Sequence, residues 1–189
     1  MQKTLNVRLT GTAPLVMHNG QLADPLNEHT KALKQVTSKR KKTDADHEKM
    51  AHLEFLGSLY VNGDGEPIIP DRMLEAVIIE GAKKSKNGPQ AKAGVFVMKH
   101  AVLDYDGPHD AEGLWEKPEF RLTAGVRVQR ARVMRTRPKF DEWAADVEIT
   151  YNDDVANDTD IVEWLEKAGE VVGLGDWRPR YGRFTVEAM

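Results

Sequence analysis

The sequence has no cysteine, few aromatic residues and no long apolar run, and each absence excludes a class of protein. Without cysteine, the 189 residues cannot hold a disulfide framework, a thiol nucleophile or a cysteine-ligated zinc or iron–sulfur centre. No apolar stretch approaches the ~18–20 residues that cross a membrane. The first residues, Met1 to Leu5, lack the apolar core of a signal peptide. We therefore expect one cytoplasmic domain, residues 1–189, with no membrane partner.

Familiar catalytic and metal-binding motifs are also absent from the sequence. Neither a Walker loop, a Gly-x-Gly-x-x-Gly fingerprint nor a Gly-x-Ser-x-Gly elbow occurs. His47 and His52 stand five residues apart, not the four that place two zinc ligands on one helix face. The sequence predicts no catalytic residue, no metal site and no cofactor.

The net charge of −3 conceals alternating blocks of opposite sign. The basic blocks are 1–43, 81–103 and 120–139, and the acidic blocks are 44–80, 104–119 and 140–170. A fold that gathers the basic blocks on one face would attract a polyanion in spite of the negative total. The alternative is that the blocks form a solvated, salt-bridged surface, or that they join neighbouring copies of the chain.

Hydrophobic periodicity predicts an α+β fold with a ferredoxin-like (RRM-like) βαββαβ core. The predicted core elements are strand 5–17, helix 71–84, strand 94–103, strand 143–151, helix 158–172 and strand 183–188. Residues 18–62 would form a helical insertion, with one helix starting at Asp24 and a second capped by Thr43. Residues 104–140 would form a polar loop followed by an Arg-rich β arm within the same domain.

The strongest single signal is a run of cations, residues 121–139, that contains no acidic residue. Its predicted nucleic-acid-binding residues are Arg127, Arg130, Arg132, Arg135, Arg137 and Lys139. Read as one strand, the run places Arg130 and Arg132 on one face, and Arg127, Arg135 and Arg137 on the other. Because arginine contacts phosphates and also stacks on bases, the run favours single strands over a duplex. The alternative is a ladder of arginines paired with the acidic segment 141–170.

Two further segments are predicted to contact nucleic acid. The first, which we call the linker, joins the two inserted helices and consists of Lys39, Arg40, Lys41 and Lys42. It would clamp phosphates, or be only a solvated connection. The second, residues 173–183, is the glycine loop, and its candidate residues are Trp177, Arg178, Arg180, Tyr181 and Arg183. Its rings would stack on bases while exposed N–H groups hold phosphate oxygens. Alternatively, Trp177 packs on the preceding helix and an arginine pairs with Asp176.

The glycine loop resembles that of the RAMP superfamily, the RRM-like RNA-binding subunits and nucleases of CRISPR systems. The triplet Gly173-Leu174-Gly175 fits the family pattern, whereas Gly182-Arg183-Phe184 departs from it after a spacer one residue longer. The segment Ile69-Pro70-Asp71 also resembles the start of the first helix in backbone subunits of that superfamily. The His-Asn-Gly, Lys-Arg-Lys-Lys and Gly-Asp-Trp-Arg-Pro-Arg-Tyr-Gly-Arg-Phe segments are similar to those of uncharacterised bacteriophage proteins. These resemblances imply an RRM-like fold, an RNA-binding role and a phage origin.

The sequence thus predicts a non-catalytic protein that binds single-stranded DNA or RNA and assembles in several copies along the strand. A phage-encoded chain would act in the host cytoplasm. One alternative is a virion assembly component or an anti-CRISPR-type interaction protein, in which the charged blocks join copies or a host partner. The other, which the resemblance to RAMP nucleases implies, is a weak endoribonuclease with His18, at the end of the first predicted strand, as general base.

Overall fold

The computed structural model describes residues 1–128 and 131–189. Its strands are Gln2–Gly11 (β1), Leu15–Val16 (β2), Ile68–Ile69 (β3), Val95–Phe96 (β4), Ala101–Val102 (β5), Arg121–Val128 (β6), Ala131–Phe140 (β7), Ala144–Asn152 (β8) and Phe184–Ala188 (β9). Its helices are Glu28–Thr37 (α1), Asp44–Ser58 (α2), Asp71–Lys84 (α3), Gly88–Gly94 (α4), Ala111–Glu116 (α5) and Asp158–Val171 (α6). The predicted α+β class is confirmed.

Four strands form the central antiparallel sheet, in the order β4-β8-β1-β9. β1 and β8 pair over nearly their whole length, with Val7 opposite Val147. Side chains alternate along a strand, so Leu5, Val7 and Leu9 all enter the core while the residues between them do not. The long β1–β8 ladder therefore forms the centre of the core.

Helices α3 and α6 pack against each other and share that core. Their crossing is close at Gly81, where an added Cβ would lie 2.0 Å from the carbonyl oxygen of Trp164. α6 begins with a capping box in which Asn157 and Asp160 each bind the other's backbone N–H. The bounds of α3 are those predicted, and those of α6 differ by one residue, because both helices have a clear apolar face. α3 begins after Pro70 without a side-chain cap.

Several predicted elements are wrong in detail. The strand predicted at 5–17 is two strands, since the chain leaves the sheet after Gly11 and resumes as β2 at Leu15. The strand predicted at 94–103 is reduced to the short strands β4 and β5, with α4 running into β4. The first inserted helix starts at Glu28, where Asn27 accepts the N–H of His29, and not at Asp24. The predicted polar loop contains the short helix α5.

A second sheet, β2-β7-β6, carries the Arg-rich arm as a hairpin. Only the base of β7 pairs with β2, at Phe140 and Lys139. Helix α2 packs against β7, and its buried residue Glu54 accepts the N–H of Thr136 at 3.1 Å. A side chain of the helical insertion thus satisfies a β7 backbone donor and attaches the hairpin to the body of the protein.

Candidate nucleic-acid interface

The pairing of β6 with β7 determines which basic side chains share a surface. Arg127 lies opposite Arg132, and Ala124 lies opposite Arg135. Directly opposed residues of a ladder point to the same side, so Arg127 shares a face with Arg132. The prediction that Arg127 lies with Arg135 and Arg137 is wrong, because it treated the run as one strand. Arg130 was also predicted to bind, but it lies outside the described residues.

We call the side of the hairpin that carries Arg127 and Arg132 the open face. Its members, as the ladder register requires, are Arg121, Thr123, Gly125, Arg127, Arg132, Met134, Thr136 and Pro138. Arg127 and Arg132 are exposed, and Met134 is 61% exposed. Arg132 makes no ion pair with any residue in the described part of the chain. The open face therefore combines exposed cationic and apolar groups on one strand pair.

At its base, the open face runs into a groove of about 730 Å³ between the hairpin, α2 and α5. The Arg121 guanidinium carbon lies 4.6 Å from the ring centroid of Trp115, a cation–π distance. His52 packs on the same indole at 4.8 Å, and its Nε2 lies 2.8 Å from a carboxylate oxygen of Glu112. The groove wall is thus an ordered stack of arginine, indole and imidazole.

The opposite side of the hairpin, which we call the paired face, includes Arg135, Arg137 and Lys139. Arg135 donates to buried Glu54, and Arg137 Nε donates to Asp176 Oδ2 at 3.1 Å. Lys139 Nζ lies 2.8 Å from Asp141 Oδ2. These three predicted binding residues each have a carboxylate partner in their own chain, as the ladder alternative expected. Only Asp141, however, belongs to the acidic segment named there.

The linker is only partly committed to internal contacts. Lys39 pairs with Asp46, and Lys42 Nζ donates to the carbonyl of Lys39 at 2.9 Å. The bond from Lys39, with donors from Thr43, lowers the pKa of Asp46 to about 2. Arg40 and Lys41 are exposed. The linker therefore pairs with the first turn of α2 through Lys39 and presents two cations to solvent.

Three backbone N–H groups of the glycine loop already donate hydrogen bonds to carbonyl groups of the chain. The N–H groups of Leu174, Asp176 and Gly182 donate at 2.8 Å to the carbonyls of Gly182, Val16 and Pro14 respectively. Gly182 has a φ of +71°, and an added Cβ would lie 1.8 Å from the Leu174 carbonyl oxygen. Glycine is needed here for a close backbone approach. These three N–H groups are therefore not available to a phosphate oxygen.

The side chains of the glycine loop remain a candidate contact surface. Arg178, Arg180 and Arg183 are exposed, whereas Trp177 and Tyr181 are partly buried. The two rings lie 6.1 Å apart, and the Arg180 guanidinium carbon lies 5.9 Å from the Tyr181 ring centroid. Asp176 pairs with Arg137 of the hairpin and not with an arginine of its own loop. The structure therefore joins the base of the hairpin to the glycine loop.

Sequence reasoning missed Trp115, His52 and Met134. Trp115 lies in an acidic block, His52 was considered only as a zinc ligand, and Met134 carries no charge. Only the tertiary packing of α2, α5 and the hairpin brings the first two beside Arg121. The alternation of side chains along β7 could have revealed Met134, since residues two positions apart on a strand, such as Arg132 and Met134, lie on the same face.

Comparison with known proteins assigns no relative. No protein-family model matches the chain, and a search of curated proteins finds no significant match. Within residues 1–128 and 131–189, no helix has the length and apolar character needed to span a membrane. The same residues contain no cluster of three or more metal-ligating side chains. The candidate interface therefore stands on its geometry alone.

Proposed function

We propose that the protein binds single-stranded nucleic acid along the open face of the β6–β7 hairpin. One observation carries the proposal: the ladder register sets Arg121, Arg127 and Arg132 on one side, together with exposed Met134. Guanidinium groups contact phosphates and stack on bases, and apolar groups contact the flat faces of bases. Bases within a duplex do not offer those faces, so a single strand fits this surface better.

The dimensions of the open face suit a short stretch of strand. From Arg121 to Arg127 the chain advances six residues, which at ~3.3 Å each gives ~20 Å. Such a length accommodates a few nucleotides, near the lower end of the site sizes of single-strand-binding domains. The groove beside Trp115 would continue the contact from the base of the hairpin. Arg40 and Lys41 of the linker, with the loop arginines, would add contacts of lower specificity.

We also propose that the core is ferredoxin-like. The chain passes through β1, α3, β4, β8, α6 and β9, which is the βαββαβ sequence of elements. The antiparallel order β4-β8-β1-β9 supports this assignment. On the sequence resemblance, we propose kinship with the RAMP superfamily, a phage origin and a place in the host cytoplasm. A non-catalytic protein that coats a strand would bind it in several copies.

The test is binding of fluorescent single-stranded DNA and RNA across a series of salt concentrations. We expect affinity to fall steeply with salt, and the triple variant Arg121→Ala, Arg127→Ala, Arg132→Ala to lower the log–log slope by ~2. The control variant removes the same number of positive charges outside the hairpin, by replacing Lys3, Lys99 and Lys167 with alanine. Sedimentation with and without strand would count the copies bound.

Salt-independent binding, or no binding at low salt, would refute the proposal. Equal losses in the control and the hairpin variant would also refute it, because binding would then follow total charge and not the open face. Measuring RNA length in the same samples would test catalysis, since a non-catalytic protein leaves the RNA intact.

A further inference from the structure

On the paired side of the hairpin, a second, smaller cavity of about 280 Å³ lies against α2. Its polar lining includes His18, Glu54, Arg135 and Arg137, and Leu33 of α1 forms part of its apolar wall. These residues come from four separate stretches of the chain, so no local motif reveals the site. The cavity is distinct from the groove beside Trp115, with which it shares no lining residue.

Both guanidinium groups in this cavity are held by a carboxylate and keep further donors. Arg135 binds Glu54 through Nη1, and Arg137 binds Asp176 through Nε. A guanidinium has five N–H donors, and each of these ion pairs uses one nitrogen. The Arg137 side chain is only 10% exposed, so its position is restricted. Anchoring by a carboxylate orients the remaining donors before any ligand arrives.

The charged side chains around the cavity balance one another. Arg135 and Arg137 are matched by Glu54 and Asp176, and the Tyr60 hydroxyl donates to the carbonyl of His18. Loss of solvation, followed by the field of Arg137, lowers the pKa of His18, with Arg135 acting in the same direction. Asp176 and Glu54 act in the opposite direction. An entering anion would favour the protonated imidazole and so gain another donor.

We propose that this cavity is a binding site for one phosphate group, held by Arg135, Arg137 and His18. The guanidinium fork matches phosphate geometry, and two forks with an imidazole supply donors from several directions. The phosphate would come either from a free phosphate compound or from the terminal phosphate of a nucleic-acid strand. This site does not depend on the open face, which lies on the other side of the hairpin.

The test measures binding of inorganic phosphate by calorimetry to the whole protein. Ala23, an exposed residue lining the cavity, is replaced by tryptophan to fill it without removing a charge. Arg137→Lys keeps the charge but loses the fork. We expect Ala23→Trp to abolish binding and Arg137→Lys to weaken it roughly tenfold, while Lys99→Ala has no effect. Urea unfolding of each variant checks that the fold is retained.

Sulfate serves as a second probe, because its charge stays constant across the range in which histidine titrates. We expect sulfate to bind more tightly as the pH falls from about 7 to about 5, and His18→Gln to remove this dependence. Absence of phosphate binding by the unaltered chain, or unchanged binding by Ala23→Trp, would overturn the proposal. A pH-independent sulfate affinity would remove His18 from the site.

Two oligonucleotides of one sequence, with a 5′-phosphate or a 5′-hydroxyl, distinguish the source. Tighter binding of the phosphorylated strand, lost in Ala23→Trp, assigns the site to strand ends. Equal binding of both strands, together with binding of inorganic phosphate, assigns it to a free phosphate compound. The triple open-face variant should bind inorganic phosphate normally, so failure of strand binding and failure of this site are separable.

Discussion

The two sides of one hairpin use the same residue type in different ways. On the paired face, Arg135 and Arg137 are each held by a carboxylate from a distant part of the chain. On the open face, Arg132 is exposed and Arg121 lies against Trp115. A cation in a basic run can therefore be a structural anchor or an accessible contact, and the ladder register separates the two.

The largest expected effect follows from removing the anchor of the paired face. Glu54 is 4% exposed and binds both Arg135 and the N–H of Thr136. Glu54→Ala removes the charged acceptor of Arg135 and leaves the buried N–H of Thr136 without a partner, so we expect a loss of about 3 kcal/mol in the free energy of unfolding. Urea titration measures this loss. Glu48→Ala, at an exposed position of the same helix, is the control and should change little.

A smaller loss is expected where the glycine loop meets the chain that leads into β2. Gly182 adopts a positive φ and approaches the Leu174 carbonyl closely. We expect Gly182→Ala to cost roughly 2–3 kcal/mol of unfolding free energy, because alanine is strained there and its methyl group meets backbone. Gly63→Ala, with open space around its Cβ position, should be close to neutral in the same assay. Equal effects would mean that the loop is not anchored as described.

The predictions from sequence succeeded where the determining signals are local. α3 was predicted with correct bounds because the spacing of Leu74, Val77 and Ile78 lies within one helix. The capping role of Thr43 was predicted for the same reason, and its Oγ accepts the N–H of Asp46. Both signals depend on residues three or four positions apart.

The predictions failed where partners come from far along the chain. The apolar run 94–103 was read as a strand, but only Val95 and Phe96 find a partner on β8. The face of Arg127 depends on its opposite residue in β7, which a single-strand reading cannot supply. Glu54 and Arg135 are 81 positions apart, so their ion pair could not be inferred from charge blocks.

The next largest effect is expected from a comparison of one arginine on each face of the hairpin. Arg135→Ala should lower the unfolding free energy by about 2 kcal/mol, because buried Glu54 loses its counter-charge while Arg135 itself is partly exposed. Arg132→Ala should leave stability within about 0.5 kcal/mol, since its side chain is exposed, but should weaken strand binding. Unfolding and strand titration of both variants measure the contrast. The reverse pattern would exchange the roles of the two faces.

The smallest expected effect concerns the linker and pH. Asp46 lies in the first turn of α2, and its hydrogen bond from Lys39 is the main reason that its pKa is lowered to about 2. A carboxyl whose pKa falls on folding stabilises the folded state above its unfolded value near 4, and this contribution disappears as the pH drops to about 2. Melting curves between those values should show a shallower pH dependence for Asp46→Asn than for the unaltered chain.

Asp44→Asn, which lies in the same first turn but makes no ion pair among the described residues, serves as the control. An identical pH dependence in Asp46→Asn and the unaltered chain would mean that the linker contributes no pairing at this cap, and Lys39 would then join Arg40 and Lys41 as a cation available to the strand.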